Sequence, residues 1–175
     1  EAERAEREGE RARRVLNQQL LALAATTRDY AFWSDAVDYV QGRKPSFMDD
    51  NFDAENLGYL RISEVLVFDA RGRVLSSVVR PEADTRLSPV SAERQLSLRP
   101  LATAVLASAN PKTVLQTLRV VDGQLELVVV AAVHHPDHAA RGLQGAIAMV
   151  RRFDQAELDR LADVLMMPTR LSFDL

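Results

Sequence analysis

Two pairs of carboxylate and aromatic side chains lie close together near the start of the chain. Asp29 and Trp33 are four residues apart, as are Asp35 and Tyr39, and Tyr30 lies beside the first pair. Residues at this spacing share one face of a helix, and the second pair lies further round it. On a helix that packs against a sheet, such groups could line a pocket for a cation or a polar ligand.

The same side chains also fit a purely structural role. Tyr30, Trp33 and Val37 would then belong to the core, because large aromatic residues are mostly buried. The carboxylates would accept hydrogen bonds from backbone amides of the adjacent loop. The sequence favours this interpretation and leaves ligand contact as the alternative.

All three histidines lie in one short segment, as His134, His135 and His138, with Asp137 before the last. Imidazoles and a carboxylate could bind zinc, nickel or copper, or could make the segment sensitive to pH near neutrality. A structured metal site usually has well-supported ligands from separate elements. We therefore expect an exposed hairpin loop here, and we expect no resident metal and no cofactor.

The sequence contains no catalytic motif. Cysteine is absent, and no nucleophile elbow, phosphate-binding loop or metalloprotease pair occurs. The acidic segment 49–55 lacks the glycine and glutamate positions of a calcium loop, so we expect a solvated loop whose carboxylates cap a helix N-terminus. The domain itself is not expected to be an enzyme.

Composition narrows the classes further. The chain has 175 residues, 47% hydrophobic and 27% charged, which suits one globular domain that needs no disulfides. A net charge of −3 gives no basic excess, so no nucleic-acid partner is expected. No apolar run reaches the ~20 residues that span a bilayer. Because the chain begins at Glu1 without methionine, we expect it to be part of a longer protein.

The candidate residues near the N-terminus belong to a predicted long helix over residues 1–42. Its apolar stripe steps by three and four residues through Leu16, Leu20, Leu23, Thr27, Tyr30, Trp33, Val37 and Val40. Gly42 and Pro45 would end the helix. The spacing of the stripe over residues 12–27 is close to the 3.5-residue period of a two-stranded coiled coil, which predicts a homodimer.

The remaining body, residues 46–175, reads as alternating strands and short helices. Predicted strands are 62–68, 74–79, 113–121, 124–133, 143–150 and 169–173, and predicted helices are 101–107 and 154–165. Asp122-Gly123 predicts a tight hairpin turn, and Asp154 with Glu157 predicts a helix start. The order predicts an α+β fold: the long helix packed on an antiparallel, PAS-like or Cache-like sheet of about five strands.

The segment 28–40 resembles the signature of the type-four CHASE domain, an extracellular sensory module of cyclases and histidine kinases. The matching residues are Asp29, Tyr30, Ala31, Trp33, Asp35, Tyr39 and Val40. Further similarities lie at Asn56-Leu57, at 67–72, and at 151–154 leading into 158–162, so the resemblance runs from about residue 20 to the end. The segment 133–138 departs from the family pattern, and nothing about that loop follows from the resemblance.

The resemblance implies that residues 1–175 form a single extracytoplasmic sensor domain. It would be the periplasmic part of an inner-membrane receptor, held between two membrane helices that lie outside this chain. The output would be a cytoplasmic cyclic-di-GMP cyclase or phosphodiesterase, or a histidine kinase. The ligand would be a small molecule of unknown identity, with Asp29, Tyr30, Trp33, Asp35 and Tyr39 as contact candidates. The alternative is a ligand-free dimerisation or protein-interaction module.

Overall fold

The computed structural model of the chain describes residues 2–81, 86–135 and 142–165. The elements in order are α1 (Ala2–Phe32), α2 (Ser34–Val40), α3 (Phe47–Asn51), α4 (Ala54–Leu60), β1 (Glu64–Asp69), β2 (Val74–Val79), α5 (Ala92–Ala107), β3 (Val114–Val121), β4 (Gln124–His134), β5 (Leu143–Arg152) and α6 (Gln155–Leu165). The predicted α+β class is confirmed.

The five strands form one sheet in the order β2-β1-β5-β4-β3, and each neighbouring pair is antiparallel. The turn from β3 to β4 follows the prediction, since Asp122 has φ 51° and Gly123 has φ 76°. Two consecutive residues with positive φ match the right-handed twist of the flanking strands. The long N-terminal helix on a five-stranded antiparallel sheet is thus confirmed.

Both faces of the sheet are covered, because alternate residues along β4 point to opposite sides. Leu127, Val129 and Ala131 belong to a core that α1 and α2 close. Val128 and Val130 belong to a second core that α5 closes. The central strands therefore read as continuous apolar runs and not as alternating ones.

The prediction of one helix over residues 1–42 is wrong at Trp33. Trp33 has extended backbone with φ −69° and ψ 143°, so α1 ends before it and α2 begins after it. A straight helix of this length would run roughly 60 Å, whereas the 11 residues of β4 span about 36 Å. The break lets Ala36 and Val37 turn onto the sheet, where both are buried.

The stripe that was predicted to form a homodimer seam is partly used within the chain. Leu23 and Thr27 are fully buried against the sheet, and the Thr27 hydroxyl donates to the Leu23 carbonyl over 2.8 Å. Leu16 and Leu20 pack on the same core and remain partly exposed. Leu23 and Thr27 are therefore excluded from any contact with a second copy.

Helix α5 begins nine residues before the predicted start at Leu101. The Ser91 hydroxyl accepts a hydrogen bond from the Arg94 amide over 3.3 Å and caps the helix at Ala92. Pro100 lies inside the helix and removes the donor that would reach the Leu96 carbonyl. Leu96 is on the exposed side, where water can satisfy that group.

Helix α6 begins as predicted, because the Asp154 carboxylate accepts a hydrogen bond from the Glu157 amide over 2.8 Å. The predicted strand at 169–173 lies outside the described residues. Among the helices within the described ranges, none combines the length and the apolar character needed to cross a bilayer.

Candidate functional site

A cavity of about 780 Å³ opens between the end of α1 and one end of the β3–β4 pair. Helix α1 lines one side, and the start of β3 and the end of β4 line the other. We call it the Trp33 cavity; its lining residues are Arg28, Asp29, Phe32, Trp33, Pro111, Lys112, Thr113, Val114, Ala131, Ala132 and His134. The volume is within the range of small-molecule sites.

Trp33 is at this cavity because of the break between α1 and α2. Its side chain is 43% exposed, and its ring lies 4.6 Å from the Tyr30 ring, between centroids. Tyr30 is half-buried, and its hydroxyl accepts a hydrogen bond from the Asn56 amide over 3.3 Å. The core interpretation therefore holds for Val37 and partly for Tyr30, but it is wrong for Trp33.

Asp35 and Tyr39 lie away from the cavity. The Asp35 carboxylate pairs with the Lys44 ammonium, and this hydrogen bond raises the pKa of Lys44 above its ordinary value. The prediction that the carboxylate would bond to backbone amides is wrong for Asp35. The Tyr39 ring packs on Phe47, with 5.4 Å between centroids. The structure thus brings Asp29 and Trp33 to the cavity, with Tyr30 packed behind Trp33.

Three charged side chains line the cavity. Arg28 and Asp29 come from α1, and Lys112 comes from the turn before β3. All three residues are exposed. Among the residues that the structure describes, no ion pair involves any of the three. Charged groups without internal partners can pair with a ligand.

His134, considered above as a metal ligand in a loop, is the last residue of β4 and contacts α1. A register shift between Val133 and His134 turns the side chain, as bulges do. Its ring meets Phe32 edge-on, with 5.0 Å between centroids and 71° between planes. Its Nδ1 lies 3.4 Å from the Ala132 carbonyl oxygen.

The metal hypothesis rested on four residues, of which Asp137 and His138 lie outside the described residues. His135 is described and half-buried. Within ranges 2–81, 86–135 and 142–165, no group of three or more potential ligands is close enough to hold a metal ion.

The far wall of the cavity has no counterpart in the sequence prediction. Pro111, Lys112 and Thr113 come from the turn before β3, and Ala131 and Ala132 come from β4. These residues are about 80 to 100 positions from Trp33 and carry no catalytic or ligand-binding pattern. Phe32 lies within the signature segment but carries no sequence signal for a role in binding. Its exposure of 46% is visible only in the structure.

A second group of charges is fully paired, at the other end of the sheet. We call it the Arg94 cluster; it consists of Glu64, Arg94, Arg119, Glu126 and Arg152. The Arg94 guanidinium lies 2.8 Å from Glu64 and 3.0 Å from Glu126. Burial lowers the pKa of Arg94, but the hydrogen bonds that its guanidinium donates to Glu126 and the charge of Glu64 raise it more. This cluster joins α5 to four strands, β1, β3, β4 and β5.

A third charged group fixes the start of α6. Arg61 donates to the Glu157 carboxylate over 2.9 Å, and Arg160 pairs with it as well. The Arg151 guanidinium donates to the carbonyls of Arg61 and Leu60, over 2.9 and 3.1 Å. Burial, with the adjacent Arg61 charge, lowers the pKa of Arg151 to about 10. These bonds tie α6 to the end of α4.

Comparison with known families gives one match that spans most of the chain. The sequence profile described as the CHASE4 domain matches residues 15–172. Among curated proteins, none matches.

Two solved structures share the fold at low identity. The first is a domain of a protein assigned to the sensory box/GGDEF family from Vibrio parahaemolyticus, with a TM-score of 0.60 and 11% identity, covering 91% of this chain and 63% of that one. The second is the extracellular domain of a protein assigned as the histidine kinase vpHK1S-Z8, with a TM-score of 0.60 and 13% identity, covering 94% and 60%. The chain thus spans less than two thirds of either structure.

Proposed function

We propose, from the premise that the chain belongs to the CHASE4 domain family, that it is the sensory input domain of a signalling receptor. In this proposal the domain is not catalytic and lies in the periplasm, and helices outside this chain anchor it in the inner membrane. The similar structures named above support this, since one is an extracellular domain of a kinase and the other belongs to a sensory protein. The output would be a cyclic-di-GMP cyclase or phosphodiesterase, or a kinase.

The Trp33 cavity is the observation that carries the proposal. It opens beside the segment 28–40 that carries the family signature, and it exposes two adjacent aromatic side chains, Phe32 and Trp33. Large apolar side chains that remain exposed in a concave site mark binding surfaces. We propose that a small molecule binds here, against α1 on one side and β4 on the other.

The signal would leave the cavity along α1. The helix contacts the ligand site through Arg28, Asp29 and Phe32, and it runs 31 residues from Phe32 back to Ala2. Near its other end, Ala12 and Val15 pack on the same core as Leu161 of α6. A ligand that separates Phe32 from His134 would shift α1 along the sheet, and α6 lies beside the moving end. The hinge would be Trp33, where the helical hydrogen bonds are interrupted.

Ligand-dependent melting tests the proposal. A panel of small carboxylates, amines and sugars should contain compounds that raise the melting temperature of the domain with rising concentration, as mass action requires. Trp33→Ala should abolish the increase. Tyr59→Ala is the matched control, since Tyr59 is an aromatic residue of α4 that is 84% exposed and does not line the cavity. A compound that stabilises Trp33→Ala as much as the wild type would place binding elsewhere.

The second candidate function is a homodimer contact, which Leu21 favours. It is 62% exposed on α1, on the side opposite the buried Leu23 and Thr27, and Leu20 beside it is partly exposed. We propose that two copies associate along this outer face. Sedimentation at high concentration should show a dimer that Leu21→Glu weakens and that Leu96→Glu leaves intact, since Leu96 is a leucine of α5 that is 64% exposed and lies on the other side of the sheet. A wild-type domain that stays monomeric would argue against it.

A further inference from the structure

The charge around the Trp33 cavity has the opposite sign to that of the whole chain. The chain carries a net charge of −3. At the cavity, Arg28 and Lys112 face a single carboxylate, Asp29, so positive charge exceeds negative by one. Because neither cation has an ion-pair partner among the described residues, both can pair with a ligand. A local excess of this kind concentrates anions at the site.

The walls between these charges are apolar and leave room for a flat group. Phe32 and Trp33 present aromatic rings that are 46% and 43% exposed. The opposite wall includes Ala131 and Ala132. The short Ala131 side chain lies on the α1 side of the sheet, whereas the Ala132 side chain lies in the core closed by α5. An aromatic ring can stack on or meet the edge of either protein ring at ordinary separations.

We infer that the Trp33 cavity binds an organic anion with a flat apolar body, of the aromatic carboxylate class. The inference rests on the proposed ligand-binding function and adds the chemistry of the ligand. The ring of the ligand lies between Trp33 and Ala131. Its carboxylate pairs with Arg28 and Lys112 at the rim.

A cationic ligand fits the same residues less well. A carboxylate beside aromatic rings, as in Asp29 with Phe32 and Trp33, is a combination that binds organic cations in other proteins. However, Arg28 adjoins Asp29 on α1 and lines the same cavity, so a bound cation would face like charge. Asp35, the second carboxylate of this segment, is paired with Lys44 and lies away from the cavity.

Trp33 supplies the readout, because it is the only tryptophan in the chain. Phenylacetate, phenylacetamide and phenethylamine have similar size and shape and differ in charge. Titration of each against Trp33 emission, with calorimetry in parallel, gives three dissociation constants. We expect phenylacetate to bind most tightly and phenethylamine least, with the preference reduced at high salt.

The variants Arg28→Gln and Lys112→Gln remove the cations at exposed positions. Each should weaken phenylacetate binding about two- to fivefold, as exposed ion pairs do, and leave phenylacetamide unchanged. Asp29→Asn should strengthen phenylacetate binding. The control is Arg99→Gln, an exposed arginine on α5, which should change neither.

The outcomes separate the two proposals. If phenethylamine binds most tightly and Asp29→Asn weakens it, the cavity is a ligand site for cations and only the inferred ligand class is wrong. If phenylacetate binds equally well to Arg28→Gln and Lys112→Gln, the inferred role of the rim charges is wrong. If none of the three probes binds, both the ligand class and the assignment of this cavity as the sensory site fail.

Discussion

The Arg94 cluster and the Trp33 cavity lie at opposite ends of strand β4, and each contains several charged side chains. Glu126 belongs to the first and His134 to the second, about 27 Å apart along the strand. In the cluster, Glu64 and Glu126 are buried and bonded to arginines. At the cavity, Arg28 and Lys112 are exposed and have no ion-pair partner within the described part of the chain.

The difference separates charges that maintain the fold from charges that are available to a ligand. A buried charge is tolerated only with a partner, since removing one partner leaves the other desolvated and uncompensated. An exposed charge contributes little to stability, because water already solvates it. Mutations in the Arg94 cluster should therefore lower the stability of the domain, and mutations at the Trp33 cavity should change its affinity for a ligand.

Arg94→Met should give the largest effect. The variant leaves the buried carboxylates of Glu64 and Glu126 without their shared partner, so we expect a loss of about 3–5 kcal/mol in the free energy of unfolding. Urea denaturation measures it. Arg99→Met, on the exposed side of the same helix, should stay within about 0.5 kcal/mol of wild type. A loss under about 1 kcal/mol would mean that the cluster is dispensable for stability.

Glu157→Gln tests whether the same distinction holds at the start of α6. Burial raises the pKa of Glu157, but the hydrogen bond and charge of Arg61 lower it more, to below its ordinary value of 4.5. Ionised Glu157 therefore stabilises the fold above pH 4.5, and this contribution disappears as the pH falls through the lower folded pKa. We expect the variant to be about 2 kcal/mol less stable near neutral pH.

The pH series provides the check on Glu157. Urea denaturation of variant and wild type at descending pH should show the gap in stability closing in acid. Glu93→Gln, at an exposed position in the first turn of α5, should show a gap of about 0.3–1 kcal/mol at most, clearly smaller than that of Glu157→Gln. A gap that persists unchanged in acid would show that the effect does not come from the ionised carboxylate.

Trp33→Ala should have a smaller effect on stability than its size suggests. The side chain is 43% exposed and packs mainly on Tyr30, so we expect a loss of about 1–2 kcal/mol. Phe47→Ala, a fully buried aromatic residue, should cost about 3–5 kcal/mol. Chemical denaturation measures both variants. If Trp33→Ala and Phe47→Ala lost the same free energy of unfolding, Trp33 would behave as a core residue, and the contrast between fold-stabilising and ligand-binding residues would not hold for it.

The double variant Arg28→Gln with Lys112→Gln should have the smallest effect. Neither side chain has an internal partner among the described residues, so we expect stability within about 0.5 kcal/mol of wild type. Thermal and urea denaturation measure it, with Arg99→Gln as the control. A clear destabilisation would show that these cations stabilise the fold, which would contradict their proposed role in ligand binding.

Local sequence signals predicted much of the fold. The turn at Asp122-Gly123 follows from backbone conformations that few residues adopt, and the start of α6 follows from the Asp154 carboxylate. The break at Trp33 could not be predicted, because no glycine or proline marks it and the turn serves the packing of Ala36 and Val37 on the sheet. The early start of α5 was missed because Pro100 resembles a helix breaker.

The candidate site was predictable only on its α1 side. Asp29 and Trp33 stand out by type and spacing, and both line the cavity. The pairing of Asp35 with Lys44 depends on the turn after α2. Lys112 and Ala131 are brought to the cavity by the β3–β4 hairpin. A local sequence pattern does not show which distant residues are close together in the fold. The bulge that redirects His134 is equally invisible in the sequence.

The first and last described helices meet on one side of the molecule. The Arg11 guanidinium lies 3.5 Å from the Val164 carbonyl, and Leu161 shares a core with Val15. Residues 11 and 164 are therefore neighbours, and a segment cut at these two positions can be inserted into a loop of an unrelated host without forcing the host segments apart. The domain is therefore a suitable insert for chimeric proteins. In such a chimera, a ligand bound in the Trp33 cavity would strain the host segments joined to the domain.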